Sequence, residues 1–301
     1  MTLNVLPHVP QPPIYSPRDL CALYGEEVDA IVALHVSGRP RGPKTGLAGL
    51  DKLLGGHMPP GLYVLHGEPG SGKSALAFQM AADAGCASLY VTTEMSALEL
   101  TRRHVARHAR KPRRSLLSSN YPLVEEKAMA DFATKQDCPH IVDACSVPAS
   151  PGMIGTWLQL LPKQSSSPHM VCVIDSLHSW AAPIAAAEGL TEYDALNAGI
   201  MALRELSSTY STVFIVLSER NRMSMQRGGM SAGAGTRRIE YGADVLMELQ
   251  RENDTAARGT SGVERIDLRI TKNRLGPAGA TVALNFQGDT MSFTEMALQY
   301  A

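Results

Sequence analysis

Eight residues, Gly67-Glu68-Pro69-Gly70-Ser71-Gly72-Lys73-Ser74, constrain this chain more than any other stretch. They have the spacing G-x-x-x-x-G-K-S. An apolar strand candidate, Leu62–His66, precedes them, and a helix candidate, Ala75–Ala84, follows. A glycine-rich turn between a strand and a helix lets successive backbone N–H groups wrap an anion, and the helix N-terminus adds positive partial charge. In such a loop the lysine reaches the β- and γ-phosphates and the serine hydroxyl ligates Mg²⁺. The nucleotide-binding set is therefore Gly67, Glu68, Pro69, Gly70, Ser71, Gly72, Lys73, Ser74 and Ala75, with ATP and Mg²⁺ as the expected ligands.

The chain around this loop alternates strand and helix. Further apolar strand candidates are Ser88–Thr92, His140–Val142, Val171–Ile174, Val213–Leu217 and Val245–Leu249. That pattern predicts an α/β fold with a mostly parallel central sheet covered by helices on both faces. The last part, Arg265–Thr271, Thr281–Phe286 and Met291–Phe293, is punctuated by Pro277-Ala278-Gly279 and Gln287-Gly288-Asp289. It predicts a small antiparallel extension. Upstream, residues 1–16 are proline-rich and read as an extended arm. Ser16-Pro17-Arg18-Asp19 then reads as a helix start, Ser16 being the N-cap, and the helix runs to about Val36. Its stripe of Leu20, Leu23, Tyr24, Val28, Ile31 and Val32 needs a partner surface, either on its own domain or on a neighbouring subunit. The expected division is an arm and linker helix over 1–44 and an ATPase domain over 45–301.

Three carboxylates are candidates for the chemistry. Val171-Cys172-Val173-Ile174-Asp175 is a buried-strand pattern that delivers Asp175 to the C-terminal sheet edge, where it suits the Mg²⁺ shell beside Ser74. Hydrolysis also needs a group to activate or position the attacking water. Glu94 follows the strand Ser88–Thr92 at that same edge, and Glu219 follows Val213–Leu217. Each is otherwise a surface glutamate in a loop.

Together these residues resemble the RecA superfamily, and within it the DnaB-type replicative helicases and the bacterial RadA/KaiC group, over roughly residues 45–295. Thr45-Gly46-Leu47-x-x-Leu50-Asp51-x-x-Leu54-Gly55-Gly56 is similar to the lead-in those families share. Thr93-Glu94-Met95-Ser96 is similar to the DnaB segment whose glutamate activates water. Ile174-Asp175-Ser176-Leu177 resembles the RadA and KaiC Walker B segment. Leu217-Ser218-Glu219-Arg220-Asn221-Arg222 resembles L-S-Q-L-x-R of DnaB, with Glu219 standing where that family has a glutamine that senses the γ-phosphate. Ile239-Glu240-Tyr241-Gly242-Ala243-Asp244-Val245 is similar to the segment before the next core strand. Lys272-Asn273-Arg274-Leu275-Gly276-Pro277-Ala278-Gly279 resembles K-x-R-x-G-P-x-G. The resemblance implies that Lys272 and Arg274 reach the γ-phosphate held by the adjacent protomer. A rigid guanidinium suits the charge that builds there.

The resemblance implies a homo-oligomer, a hexameric ring in the helicases, with single-stranded DNA as its track and roles in replication or repair. Net charge is −1, so any nucleic-acid contact must come from a local patch. Arg222, Arg227, Arg237 and Arg238, among Gly228, Gly229, Gly233 and Gly235, form the candidate DNA loop. The run Arg102, Arg103, Arg107, Arg110, Lys111, Arg113 and Arg114 reads as a solvated helix face. Ser179–Asp194 reads as a second channel loop, with Glu188, Glu192 and Asp194 and no basic residue. Five cysteines without a C-x-x-C pair give no zinc ribbon and suit the cytoplasm. The alternative function is a KaiC-like regulatory ATPase with a protein partner and no DNA translocation.

Overall fold

The computed structural model describes residues 14–112, 114, 138–161, 169–219, 239–251 and 262–296. The four arginines of the candidate DNA loop fall within 220–238, outside the described residues. The chain divides into two compact units, before and after the Arg41–Gly42 bond.

The first unit holds helix α1, Pro17–Val36. Ser16 and Asp19 close a reciprocal capping box, the Ser16 side chain accepting from the Asp19 amide while the Asp19 carboxylate accepts from the Ser16 amide. No residue of this helix is buried, and Leu20, Leu23, Tyr24, Val28 and Val32 are all exposed.

The second unit contains helix α2 (Ala48–Leu53), strand β1 (Gly61–Gly67), helix α3 (Lys73–Ala82), strand β2 (Ser88–Thr92) and helix α4 (Ala97–Ala109). Strand β3 (His140–Asp143), helix α5 (Pro151–Leu160), strand β4 (Met170–Asp175), helices α6 (Leu177–Glu188) and α7 (Glu192–Tyr210) and strand β5 (Thr212–Glu219) follow. The chain continues through β6 (Val245–Arg251), β7 (Val263–Asn273), β8 (Thr281–Gln287) and β9 (Ser292–Glu295). Among the described residues these strands form one sheet in the order β3-β2-β4-β5-β1-β6-β7-β8-β9. The pairings from β3 to β6 are parallel, and those from β6 to β9 are antiparallel.

The apolar runs form strands because each side chain has a layer to bury in. Along β1, Tyr63 and Leu65 point into the core shared with α3, while Leu62 and Val64 enter the core shared with α5, α6 and α7. Two buried faces explain why these strands read as continuous apolar runs rather than alternating ones. The helices start where the caps lie: Ser96, Ser150 and Thr191 each accept from a first-turn amide.

The antiparallel extension is fastened beneath the nucleotide loop. Gln79 of α3 donates to the Phe293 carbonyl at 2.9 Å and accepts from its amide at 2.9 Å. The Glu295 carboxylate accepts from the amides of Gly49 and Leu50 at the start of α2. Gly72 sits at φ 96°, and a Cβ there would meet the Phe293 ring at 2.8 Å. Glycine is thus required twice over, by backbone sign and by space.

One expected loop is helical. Ser179–Asp194 lies in α6 and the first turn of α7, joined through Gly189 at φ 64° and the Thr191 cap. An alanine-rich stretch between a serine start and a glycine stop favours helix over loop. On α4, Arg102 and Arg103 pair with Glu99 and Arg107 pairs with Asp83, which partly neutralises that basic run.

Candidate functional site

The parallel strands all end at one edge, and strand register decides which residues gather there. Gly67 is level with Glu219, and Thr92 is level with both Asp143 and Asp175. The glycine-rich loop, Glu94, Asp175 and Glu219 therefore share the C-terminal edge of the sheet.

The loop itself fits a polyphosphate. Gly72 caps α3 without a side chain, so the first-turn amides keep their donors for an anion. Ser71 Oγ is buried and meets no hydrogen-bond partner among the described residues. A Cβ at Gly67 would fall 2.6 Å from that same Oγ, so the loop closes only with glycine there. Lys73 Nζ donates to the carbonyls of Gly67 and Glu68, each at 3.0 Å, and folds back over the loop. Burial pulls the Lys73 ammonium below its usual range. Glu219, Asp175 and Glu94 oppose that shift, Glu219 most strongly. All three carboxylates thus lie close enough to act on this one lysine.

Asp175 is buried, and burial raises its carboxyl above the usual range. Hydrogen bonds from Tyr90 and Ser74, and the charge of Lys73, pull the other way, while Glu94 raises it further. Tyr90 Oη donates to Asp175 Oδ2 at 2.6 Å. The hydroxyl of Ser74 and the carboxylate of Asp175 are hard oxygen donors of the kind Mg²⁺ prefers, and a cation between them would offset the burial of that charge. Mg²⁺ held there would neutralise phosphate charge. Lys73 and the loop amides would bind and orient the phosphates of a nucleotide held there.

Sequence reasoning missed Tyr90, which reads as one more apolar strand residue. Its hydroxyl orients the buried carboxylate from the neighbouring strand. Tyr90→Phe is expected to weaken magnesium binding by about 10–100-fold, read as the magnesium concentration giving half-maximal ATP turnover.

Glu94 is exposed, yet its Oε1 accepts from Ser176 Oγ at 2.6 Å and from Ser179 Oγ at 2.8 Å. The peptide bond between Asp175 and Ser176 is cis.

Lys272 and Arg274 are not brought to this site. Leu246 is level with Lys272 and Val245 with Asn273, and Val245 is level with Tyr63 near the start of β1. Both basic residues thus sit toward the opposite sheet edge from the loop that β1 leads into. There they dock on the segment 240–244. Lys272 Nζ donates to the carbonyls of Glu240, Tyr241 and Ala243 at 2.7–3.1 Å. Arg274 donates to Asp244 Oδ1 at 2.9 Å and to the Tyr241 carbonyl at 3.3 Å. Asp244 Oδ2 also accepts from the Leu62 amide, which ties Arg274 to the first residues of β1. Burial lowers the Lys272 ammonium, and Arg274 and Arg204 lower it further, against Asp244 and Glu240.

A family model, the DnaB-like helicase C-terminal domain, matches residues 42–295. The chain belongs to this family. It is 26% identical over 288 residues to the replicative DNA helicase DnaB of Haemophilus influenzae, covering 91% of this chain and 59% of that one. It is 25% identical over 267 residues to DnaB of Mycoplasma genitalium, covering 84% of this chain and 56% of that one. The chain thus spans less than two thirds of the curated relatives it matches. Among solved structures, the ATPase domain of G40P matches with a TM-score of 0.74 at 18% identity, covering 94% of this chain and 99% of that one. A DnaB-like replicative helicase, described with its interactions with primase, matches with a TM-score of 0.72 at 18% identity, covering 95% of this chain and 68% of that one. These likenesses give the fold, mostly parallel sheet and antiparallel C-terminal strands included. Among the described residues, no helix is long and apolar enough to cross a membrane.

Proposed function

We propose that this chain is the subunit of a homo-oligomeric, ATP-driven DNA motor, with ATP and Mg²⁺ bound at 67–75, Ser74 and Asp175. Glu94 activates the attacking water. Lys272 and Arg274 complete the site of the next subunit.

The observation that carries this reading is the separation of the two halves of the catalytic set. Lys73, Asp175, Glu94 and Glu219 converge at one edge of the sheet, and the basic pair lies toward the other. A cation in that position cannot serve its own loop, but it can serve a neighbour's. Glu219 stands where the resembling helicases have a glutamine and acts on Lys73, so the response to the γ-phosphate is expected to differ here.

The track we assign is single-stranded DNA, contacted by Arg222, Arg227, Arg237 and Arg238. The test is ATP turnover by the full chain with and without a single-stranded oligonucleotide. A several-fold rise is expected, and it is expected to vanish in Arg237→Ala/Arg238→Ala. No rise in the parent protein removes the DNA reading and leaves an ATPase regulated by a protein partner. Strand displacement on forked DNA then separates a helicase from a DNA-binding ATPase that does not unwind.

A further inference from the structure

We propose that Ser176 and Ser179 are positioning residues that aim Glu94 at the water attacking the γ-phosphate. The inference rests on the role of Glu94 proposed above.

Glu94 lies two residues beyond β2, in a bend rather than in regular structure, and its side chain is exposed. A flexible carboxylate there has no packing to fix it. Instead it is held by chemistry. Ser176 Oγ and Ser179 Oγ both donate to Oε1, at 2.6 and 2.8 Å, and the two serine oxygens are 3.2 Å apart. Two donors on one oxygen fix the plane of the carboxylate and leave Oε2 as the oxygen that takes a proton.

The donors are fixed in turn. Ser176 directly follows Asp175, and its amide donates to Thr93 Oγ1 at 3.0 Å. Thr93 donates both its amide and its hydroxyl to the Asp175 carbonyl, each at 2.8 Å. The ends of β2 and β4 are thereby stitched together. Ser179 stands in the first turn of α6 beside buried Trp180, whose indole N–H donates to the Ala149 carbonyl at 2.6 Å. Glu94 is thus tied to the strand end that carries Asp175 and to the helix that leaves it. The carboxylate assigned to the metal and the carboxylate assigned to the proton share one frame. A base works only when held close to its productive geometry, so these hydroxyls contribute to turnover and not to nucleotide binding.

The test compares Ser179→Ala and Ser176→Ala/Ser179→Ala with the parent in kcat, in affinity for a non-hydrolysable ATP analogue, and in melting temperature. We expect kcat to fall about ten-fold or more in the double variant, with analogue affinity unchanged. Ser179→Thr keeps a hydroxyl and is expected to restore turnover to the Ser179 position. In a Glu94→Gln background the serine substitutions are expected to change residual turnover no further. Parental kcat in the serine variants, or an equal fall in the Glu94→Gln background, overturns the serine role while leaving Glu94 in place. Parental turnover by Glu94→Gln alone overturns the role of Glu94 and this inference with it. Ser179→Ala, at a half-buried position, keeps the test valid if the double variant melts early.

Discussion

Arg274→Ala chains are expected to bind ATP as the parent does and to hydrolyse it roughly 10³-fold more slowly, the usual worth of a guanidinium that stabilises phosphoryl-transfer charge. The expectation follows from where Arg274 sits. Its side chain is held by Asp244 and the Tyr241 carbonyl toward the edge of the sheet opposite the loop. Removing it touches nothing that holds the nucleotide of its own subunit. Mixing gives the decisive measurement. Lys73→Ala chains lose the phosphate-binding lysine but keep Arg274. Alone, each variant is expected to turn over ATP at a small fraction of the parental rate at most. In a mixture, the intact loop of an Arg274→Ala chain can face the intact arginine of a Lys73→Ala chain, and turnover returns. A mixture that stays inactive shows that Arg274 does not act across a subunit boundary. Loss of ATP binding in Arg274→Ala removes the assignment altogether.

Glu94→Gln is expected to lower kcat by about 10²–10⁴-fold, the range for losing a positioned base. Glutamine keeps the volume and can still accept from the two serines, so the local fold stands. Analogue binding should hold, because Lys73, Ser74 and Asp175 remain. Equilibrium binding and single-turnover hydrolysis measured on the same preparation check both halves. A comparable loss from Glu219→Gln, with little from Glu94→Gln, would move the base to the neighbouring strand.

Much of this was legible in the sequence, for a physical reason. Strands β1, β2, β4 and β5 are buried on both faces, so their apolar runs stand out and end where the chemistry begins. Glycines with a positive φ and a serine or threonine before a helix mark turns and caps locally. Tyr90, Ser176 and Ser179 were not legible as partners. Tyr90 meets Asp175, and Glu94 meets the serines, only because β2 lies beside β4, and that adjacency crosses more than eighty positions. Gln79 with Phe293 is the same case over a longer span. The stretch Ser179–Asp194 reads as a channel loop from its position after the Walker B-like strand, whereas its alanines between Ser176 and Gly189 make most of it helical.

The loop and the basic pair lie toward opposite ends of β1. With Lys272 and Arg274 in the role proposed for them, each chain would offer an acceptor at one edge and a donor at the other, which would govern how copies associate. A two-fold dimer is isologous. It completes sites only in reciprocal pairs, each donor edge against the other chain's acceptor edge, and so uses up both edges of both chains at once. A heterologous head-to-tail contact completes one site at a time, and each such contact leaves a free donor and a free acceptor until the chain of subunits closes on itself. Turnover per subunit should therefore climb with protein concentration and level off only where closed assemblies dominate.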